Sequence, residues 1–335
     1  MNKLKIGVIG TGHLGRIHVK LLKELDNVEL CGVYDKDFEK SKNVSEEFGV
    51  KQYQDMDKLI NDSEAVVIVA TTSAHYELVK KAFGYGKHVF VEKPITAHIS
   101  EAEELVAISE EKNLKLQVGH IERFNPALVS LEKYELNPMF IQSDRLAQFN
   151  PRGTDVAVIL DLMIHDIDII LSLVKSEIKD IRASGISVVS NNIDIANARI
   201  EFENFAVANV TASRISQKRM RKMRMFQQDT YFSVDFIEGS SEIIRLMPQG
   251  VLPESGAFPI GQIGIEDKKR TVVIERPDSV NINPLQYELK LFAESVLNDT
   301  VPPVTGYDGL KALRVAEQII RKIEESISRA RFNNL

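Results

Sequence analysis

The sequence predicts an α/β chain in two parts: a doubly wound parallel sheet over residues 1–122, then an α+β domain with an open, mostly antiparallel sheet over residues 123–335. Two observations carry this. Up to about residue 120, short β-branched runs bounded by turn residues alternate with stretches of helical period, the pattern of βαβ units. Beyond Asn125-Pro126, strand-like runs follow one another without helices between them. In the first part the pattern places strands at 4–9, 28–34, 65–70, 88–91 and 115–118, and helices at 13–25, 37–48, 74–84 and 100–112. The run Val66-Val67-Ile68-Val69-Ala70 is apolar without alternation, as in a strand covered on both faces. Ser100 with Glu103 has the form of a capping box. The second part reads as a helix at 126–134, a strand near 139–149 and an apolar helix at 155–174 with Thr154 or Asp155 as its cap. Strands follow at 179–189, 194–203, 206–214, 220–228, 230–237, 241–247 and 270–275. The stretch 248–267, with Pro253, Pro259 and four glycines, reads as a long loop and a candidate lid. Helices at 284–297 and 308–331 complete the chain.

Composition narrows the function classes. With 335 residues, 44% hydrophobic and 27% charged, the chain has the make-up of an ordered two-domain protein. A net charge of -6 argues against nucleic acid or an anionic membrane as the main partner, since both demand a positive footprint. No run approaches the ~18 apolar residues of a membrane span, and the glycine turn comes too early for a signal peptide, so a cytoplasmic location is the default expectation. The single cysteine, Cys31, lies in an apolar run and reads as a buried strand thiol. It leaves no thiol framework for a disulfide or a metal, and no metal site is expected.

Chemistry enters with Gly10-Thr11-Gly12-His13-Leu14-Gly15, which follows the first strand and opens the first helix. Gly10 permits a tight turn, Gly12 lets the backbone approach a pyrophosphate, and Gly15 allows close helix–strand packing. The helix N-terminus then offers amide hydrogens and a positive dipole to phosphate, the fingerprint of a Rossmann domain. Thr11, His13 and Leu14 complete the candidate cradle. Asp35 ends the second strand, 20 residues after Gly15, where its carboxylate can accept from both adenosine ribose hydroxyls and repel a 2′-phosphate. NAD is therefore favoured over NADP, which Lys36 beside it keeps open. A bare tight turn without ligand is the bland alternative.

Thr71, Thr72 and His75 follow the third strand, and Glu92-Lys93-Pro94 follows the fourth. Ligands of doubly wound sheets bind outside the carboxyl ends of the strands, so both groups should face the nicotinamide half of the cofactor. Pro94 pushes Lys93 toward extended geometry; the bond before it can be cis or trans. The helix at 155–174 is nearly apolar all round, yet Asp161, His165, Asp168 and Ser172 interrupt it at spacings of four, three and four. On an α-helix these share one arc of roughly 60°. Buried ionisable groups must either pair or line a polar cleft. His165 suits a proton acceptor for an alcohol, with Asp161 one turn earlier to orient it. Asp166 lies off the stripe and reads as a solvated or capping residue.

Taken together, the glycine turn, the run Gly86-Lys87-His88-Val89-Phe90-Val91-Glu92-Lys93-Pro94, and Asp161 through Asp168 resemble the Gfo/Idh/MocA family of dehydrogenases across essentially the whole chain. The resemblance implies an N-terminal Rossmann domain, a C-terminal domain whose open sheet mediates oligomers, and catalytic roles for Lys93, Asp161 and His165. Met163 stands where the family motif D-x-G-x-H-x-x-D has glycine, which should narrow the cleft. Val118 through Pro126 and Arg152-Gly153-Thr154-Asp155 look most like the branch oxidising the 3-hydroxyl of UDP-N-acetylglucosamine, which makes Arg123, Asn125 and Arg152 candidate substrate contacts.

Six cations, Arg214, Lys218, Arg219, Arg221, Lys222 and Arg224, crowd one short stretch. They would meet a substrate diphosphate or a neighbouring subunit; nucleic acid is the weakest reading. The expected activity is an NAD-linked oxidoreductase acting on a secondary alcohol of a sugar or nucleotide sugar. The partners expected are that small molecule and further copies of the chain, with no nucleic acid and no membrane. The rival is a dinucleotide-binding sensor without chemistry. The direction of reaction stays open, because the same residues serve an alcohol or a ketone.

Overall fold

The computed structural model of the chain describes residues 3–151, 153–248, 251 and 256–333, with backbone alone at 267 and 330–333. Two compact units result: the segment ending at Phe124 with Ile282–Arg314, and Asn125–Asn281 with the chain from Val315 onward. The sequence put all of 123–335 in one domain; 282–314 instead returns to the first unit. The reason is apolar. Leu285, Leu289, Phe292 and Ala293 bury in the same core as Ile6, Val8, Val19, Leu22 and Phe90.

The first unit runs β1 (Leu4–Ile9), α1 (His13–Lys23), β2 (Val28–Tyr34), α2 (Phe38–Phe48), α3 (Met56–Asp62), β3 (Ala65–Ile68), α4 (Thr72–Gly84), β4 (His88–Glu92), α5 (Ile99–Glu111) and β5 (Leu116–Gly119). Its five strands are parallel in the order β2-β1-β3-β4-β5. All four residues of β3 are buried, as an apolar run without alternation requires. The sequence reading missed α3, a short helix with only Leu59 and Ile60 buried, too brief to show a period. The capping box of α5 sits two residues before its expected place: Glu101 accepts from the His98 N–H at 3.2 Å. Cys31 is half-buried rather than buried, its Sγ 3.4 Å from the Asp62 carbonyl, and loss of solvent pushes its thiol pKa up.

After a 3₁₀ turn at Ile121–Phe124, the second unit opens with α6 (Pro126–Val129) and β6 (Phe140–Leu146). The apolar helix follows in two pieces, a π-helical turn at Ile159–Met163 leading into α7 (Ile164–Leu173). Neither Thr154 nor Asp155 caps it; the Val158 N–H, just before the π turn, is satisfied by the Ile193 carbonyl at 2.8 Å. Then come β7 (Ile178–Ile186), β8 (Ile195–Phe202), β9 (Val207–Ser213), β10 (Met220–Gln227), β11 (Thr230–Asp235), β12 (Ser240–Pro248), β13 (Ala257–Ile263) and β14 (Arg270–Glu275). With β6 they form a nine-stranded sheet, β13-β14-β12-β11-β10-β6-β9-β8-β7, antiparallel except for β6 beside β9. Part of the expected lid is thus strand β13, paired along β14; 249–250 and 252–255 lie outside the described residues. Helices α8 (Pro284–Leu297) and α9 (Gly306–Asn333) close the chain.

Strand alternation gives that sheet one buried face, which includes Ile141, Ala198, Ile200, Ala208, Val210, Met223, Met225 and Phe232. Here α7 packs, against β6 and β9. On the other face Phe140, Phe226 and Tyr231 stack with ring centroids 5.9 and 4.6 Å apart and stay partly exposed. Among the described residues no helix is long and apolar enough to cross a membrane, and no group of three or more His, Cys, Asp or Glu is placed to hold a metal ion.

Candidate active site

In the first unit the candidate cradle lies at the carboxyl end of β1, where the strand order reverses between β2 and β3. Its three glycines serve three ends. Gly10 has φ +97°, and a Cβ there would sit 2.4 Å from the Val69 carbonyl oxygen, so only glycine fits. At Gly15 a Cβ would come within 2.0 Å of the Gly10 carbonyl oxygen, which is why α1 can start so close to the turn. Gly12 is different: nothing stands within 4 Å of where its Cβ would be. Among the described residues nothing near Gly12 demands glycine, and a phosphate resting on the N-terminus of α1 is the contact that would. Gly12, His13 and Leu14 are exposed beside it, and the residues present therefore fit a dinucleotide.

Asp35 is tied into this turn more closely than its sequence position implied. Its Oδ2 accepts from the Thr11 N–H at 2.7 Å and the Thr11 hydroxyl at 3.1 Å, and its Oδ1 accepts from the Asp37 N–H at 2.9 Å. An ionised carboxylate has about four acceptor positions. Three are taken by groups of the turn and of Asp37. Thr11, expected among the phosphate contacts, is buried and gives its amide to Asp35.

Thr71 precedes α4 and Thr72 begins it, both near the end of β3. His75, expected to face the cofactor, is buried instead, with Nδ1 2.9 Å from the Pro94 carbonyl oxygen and Nε2 3.2 Å from that of Ala70. Burial pushes its pKa down, against the pull of the carbonyl oxygens it faces. His75 thereby clamps the head of α4 to the Lys93-Pro94 turn, whose peptide bond is cis. Glu92 turns inward as well: its Oε1 lies 2.8 Å from Nε2 of His18 on α1. Burial raises the Glu92 pKa, but the hydrogen bond and charge of His18, then the charge of Lys93, outweigh it, and the carboxyl is held below its ordinary value. Sequence reasoning missed His18. The available signal was its place on the buried stripe Gly15, His18, Val19, Leu22. Arg123, a candidate substrate contact, reaches Asp308 at 3.9 Å and the Pro303 carbonyl at 3.5 Å.

In the second unit Asp161 sits in the π turn and His165 in the first turn of α7, both half-buried, while Asp168 is buried. The α-helical spacing that put these groups on one arc does not hold across 159–163, since a π turn advances the chain less per residue. The Ser172 hydroxyl donates to the Ile169 carbonyl at 2.7 Å. Met163 is fully buried in the core. Asp166 is corrected most sharply. Rather than solvated, it is 1% exposed and takes Arg145 Nε at 2.6 Å, Arg145 Nη2 at 3.2 Å and the Ser143 hydroxyl at 2.8 Å. That buried pair fastens α7 to β6 beside His165. Asn125 caps α6 through the Ala127 N–H at 3.1 Å and donates to the Phe236 carbonyl at 3.0 Å. Arg152 lies outside the described residues.

The basic stretch also divides. Lys222 pairs with Asp235 at 3.0 Å across β10 and β11, and Arg224 is exposed on the same face. Arg214 is not part of that face at all: it is buried and bonded to backbone.

Comparison with known proteins agrees with the two-part fold. Residues 4–120 match an oxidoreductase family with an NAD-binding Rossmann fold, and residues 139–240 match the GFO/IDH/MocA C-terminal domain. The chain is 34% identical over 330 residues to the UDP-N-acetylglucosamine 3-dehydrogenase of Acidithiobacillus ferrooxidans, covering 98% of this chain and all of that one. It is 28% identical to the scyllo-inositol 2-dehydrogenase (NAD(+)) of Bacillus subtilis, over 94% and 92% of the two chains. A solved structure of the Acidithiobacillus enzyme superposes with a TM-score of 0.85 at 32% identity, over 97% of this chain and 99% of that one.

Proposed function

The chain belongs to the Gfo/Idh/MocA family of NAD-binding oxidoreductases, and from that premise we propose that it oxidises the 3-hydroxyl of UDP-N-acetylglucosamine with NAD. It is an enzyme of that class. One observation carries the finer reading: 34% identity across the full length to a UDP-N-acetylglucosamine 3-dehydrogenase, against 24% and 28% for the inositol 2-dehydrogenases of Thermotoga maritima and Bacillus subtilis.

The proposed work of the residues follows from their chemistry. Gly10, Gly12 and the first turn of α1 receive the pyrophosphate, and Asp35 at the end of the second strand takes the adenosine ribose, which favours NAD over NADP. A bound nicotinamide supplies the hydride acceptor. His165 takes the proton from the substrate hydroxyl, and Asp161 orients the imidazole. Lys93 holds the hydroxyl oxygen and stabilises the negative charge that develops there. Asp166, paired with Arg145, fixes the helix that carries His165.

The test is direct. Purified protein is given NAD or NADP with UDP-N-acetylglucosamine, myo-inositol, scyllo-inositol or glucose 6-phosphate, and nicotinamide absorbance is followed. The nucleotide sugar with NAD should give the highest kcat/KM, and His165→Ala and Lys93→Met should each lose about 10²–10⁴-fold in kcat. Faster turnover of an inositol would overturn the substrate, and unchanged turnover in both variants would overturn the assigned roles. NAD binding without reduction of any substrate would favour a sensor.

A further inference from the structure

Arg214 reads in the sequence as one cation of a surface stretch, yet it is 4% exposed and both terminal nitrogens of its guanidinium go to one turn. Nη1 donates to the Gly153 carbonyl at 2.7 Å and Nη2 to the Val156 carbonyl at 2.7 Å. A lysine cannot make that fork, because its donors radiate from one atom. The charge is balanced behind the fork by Asp194, whose Oδ1 lies 3.8 Å from Nε. Asp194 is fully buried, and burial alone would raise its pKa. The Ser190 hydroxyl at 2.7 Å and the N–H groups of Val188, Val189 and Ser190 at 2.7, 2.8 and 3.1 Å outweigh that and hold it down to about 2. A third tie comes from Asn192, whose Nδ2 donates to the Thr154 carbonyl at 2.9 Å.

The turn so held backs onto Asp161. Gly153 has φ +81°, and a Cβ there would come 2.9 Å from Asp161 Oδ2 and 3.3 Å from its Cγ. The left-handed backbone favours glycine, and a Cβ added there would push against the Asp161 carboxylate. Asp161 itself rides on the π turn, a local irregularity often found at functional sites. A buried arginine is costly to retain, and its two short bonds go to the segment that meets this carboxylate.

We propose that Arg214 and the Gly153–Val156 turn are positioning elements for Asp161. The turn closes one side of the carboxylate, and Arg214 with Asp194 and Asn192 sets how closely the turn approaches. This rests on the reading of Asp161 as the residue that orients His165. The role is indirect: Arg214 spends both terminal nitrogens on backbone and acts through the turn.

The experiment is a double-mutant cycle read in kcat with UDP-N-acetylglucosamine and NAD, accompanied by KM, thermal midpoint and NAD affinity. Gly153→Ala should lower kcat about tenfold. NAD affinity should stay at the wild-type value, while the midpoint falls only by the cost of one left-handed alanine. In an Asp161→Asn background the same change should cost almost nothing further, since its target is already lost. Arg214→Lys should behave as Gly153→Ala does, and if Arg214→Lys does not fold, Gly153→Ala and Asn192→Ala carry the test. Wild-type kcat in Gly153→Ala, or fully additive losses with Asp161→Asn, would overturn the proposal. Wild-type turnover in Asp161→Asn alone would overturn the reading of Asp161 instead.

Discussion

The glycine turn of the first unit and the helix Val158–Leu173 of the second present functional groups by opposite means. The turn works through backbone: Gly10 and Gly15 allow approaches of 2.4 and 2.0 Å that any Cβ would block, and Gly12 faces open space. The helix works through side chains whose charges are balanced at a distance, Asp166 by Arg145, with a neighbouring turn held by Arg214 and Asp194. A backbone site is fixed by the residues that make it. A side-chain site is fixed by partners about twenty residues away or more, on other strands. The first should therefore fail locally when altered, and the second should fail as a fold.

The largest effect expected from this contrast is at Asp166. Asp166→Ala leaves the Arg145 guanidinium buried without its counter-charge and should cost about 3–5 kcal/mol in urea unfolding. A loss below about 1 kcal/mol would mean that the pair is not what fastens α7.

Next comes acid. The Asp194 carboxyl is held near 2, below its ordinary value, so its contribution is complete above the unfolded pKa near 4 and is lost as pH falls from about 4 to 2. That contribution is on the order of 2 kcal/mol. Asp194→Asn should flatten the stability profile between those pH values, and an unchanged slope would reassign the acid sensitivity elsewhere.

On the backbone side, Gly10→Ala forces a left-handed residue against the Val69 carbonyl and should lose at least about 1–2 kcal/mol of stability. Gly12→Ala is its control. It meets nothing in the protein, so the thermal midpoint should hold while NAD affinity, measured by calorimetry, drops about tenfold. Equal stability losses in both variants would erase the distinction between them. The smallest effect belongs to Asp35. Asp35→Ala removes a charge that opposes a 2′-phosphate and should shift the NAD to NADP preference by about tenfold or less, read from the ratio of kcat/KM values.

How much of this was legible follows from the range of the forces involved. The five strands of the first unit were readable because each is a short apolar run ended by its own turn residues. The cradle was readable because φ and close approach are properties of glycine itself. Helix α3 escaped because seven residues hold too little period. The partnerships were not readable. Asp166 and His75 look polar in the chain and are buried in the fold, each rescued by a group that only the topology brings near. Arg214 sits among five other cations in sequence and shares nothing with Lys222 in space. Strand β13 hid among prolines and glycines because its pairing with β14 supplies an order that local propensity does not.

By itself, then, the sequence determined most of the strands and helices in order, the glycine turn that opens α1, and the candidate groups for moving a proton, since each is set by local conformation or intrinsic chemistry. The tertiary structure decided which of the charged residues are consumed in holding the fold. It sent Asp166 to Arg145, Glu92 to His18, and Arg214 to the turn against Asp161. The physical reason is that a buried charge is tolerable only with a partner, and no pattern along the chain says which distant residue that partner will be.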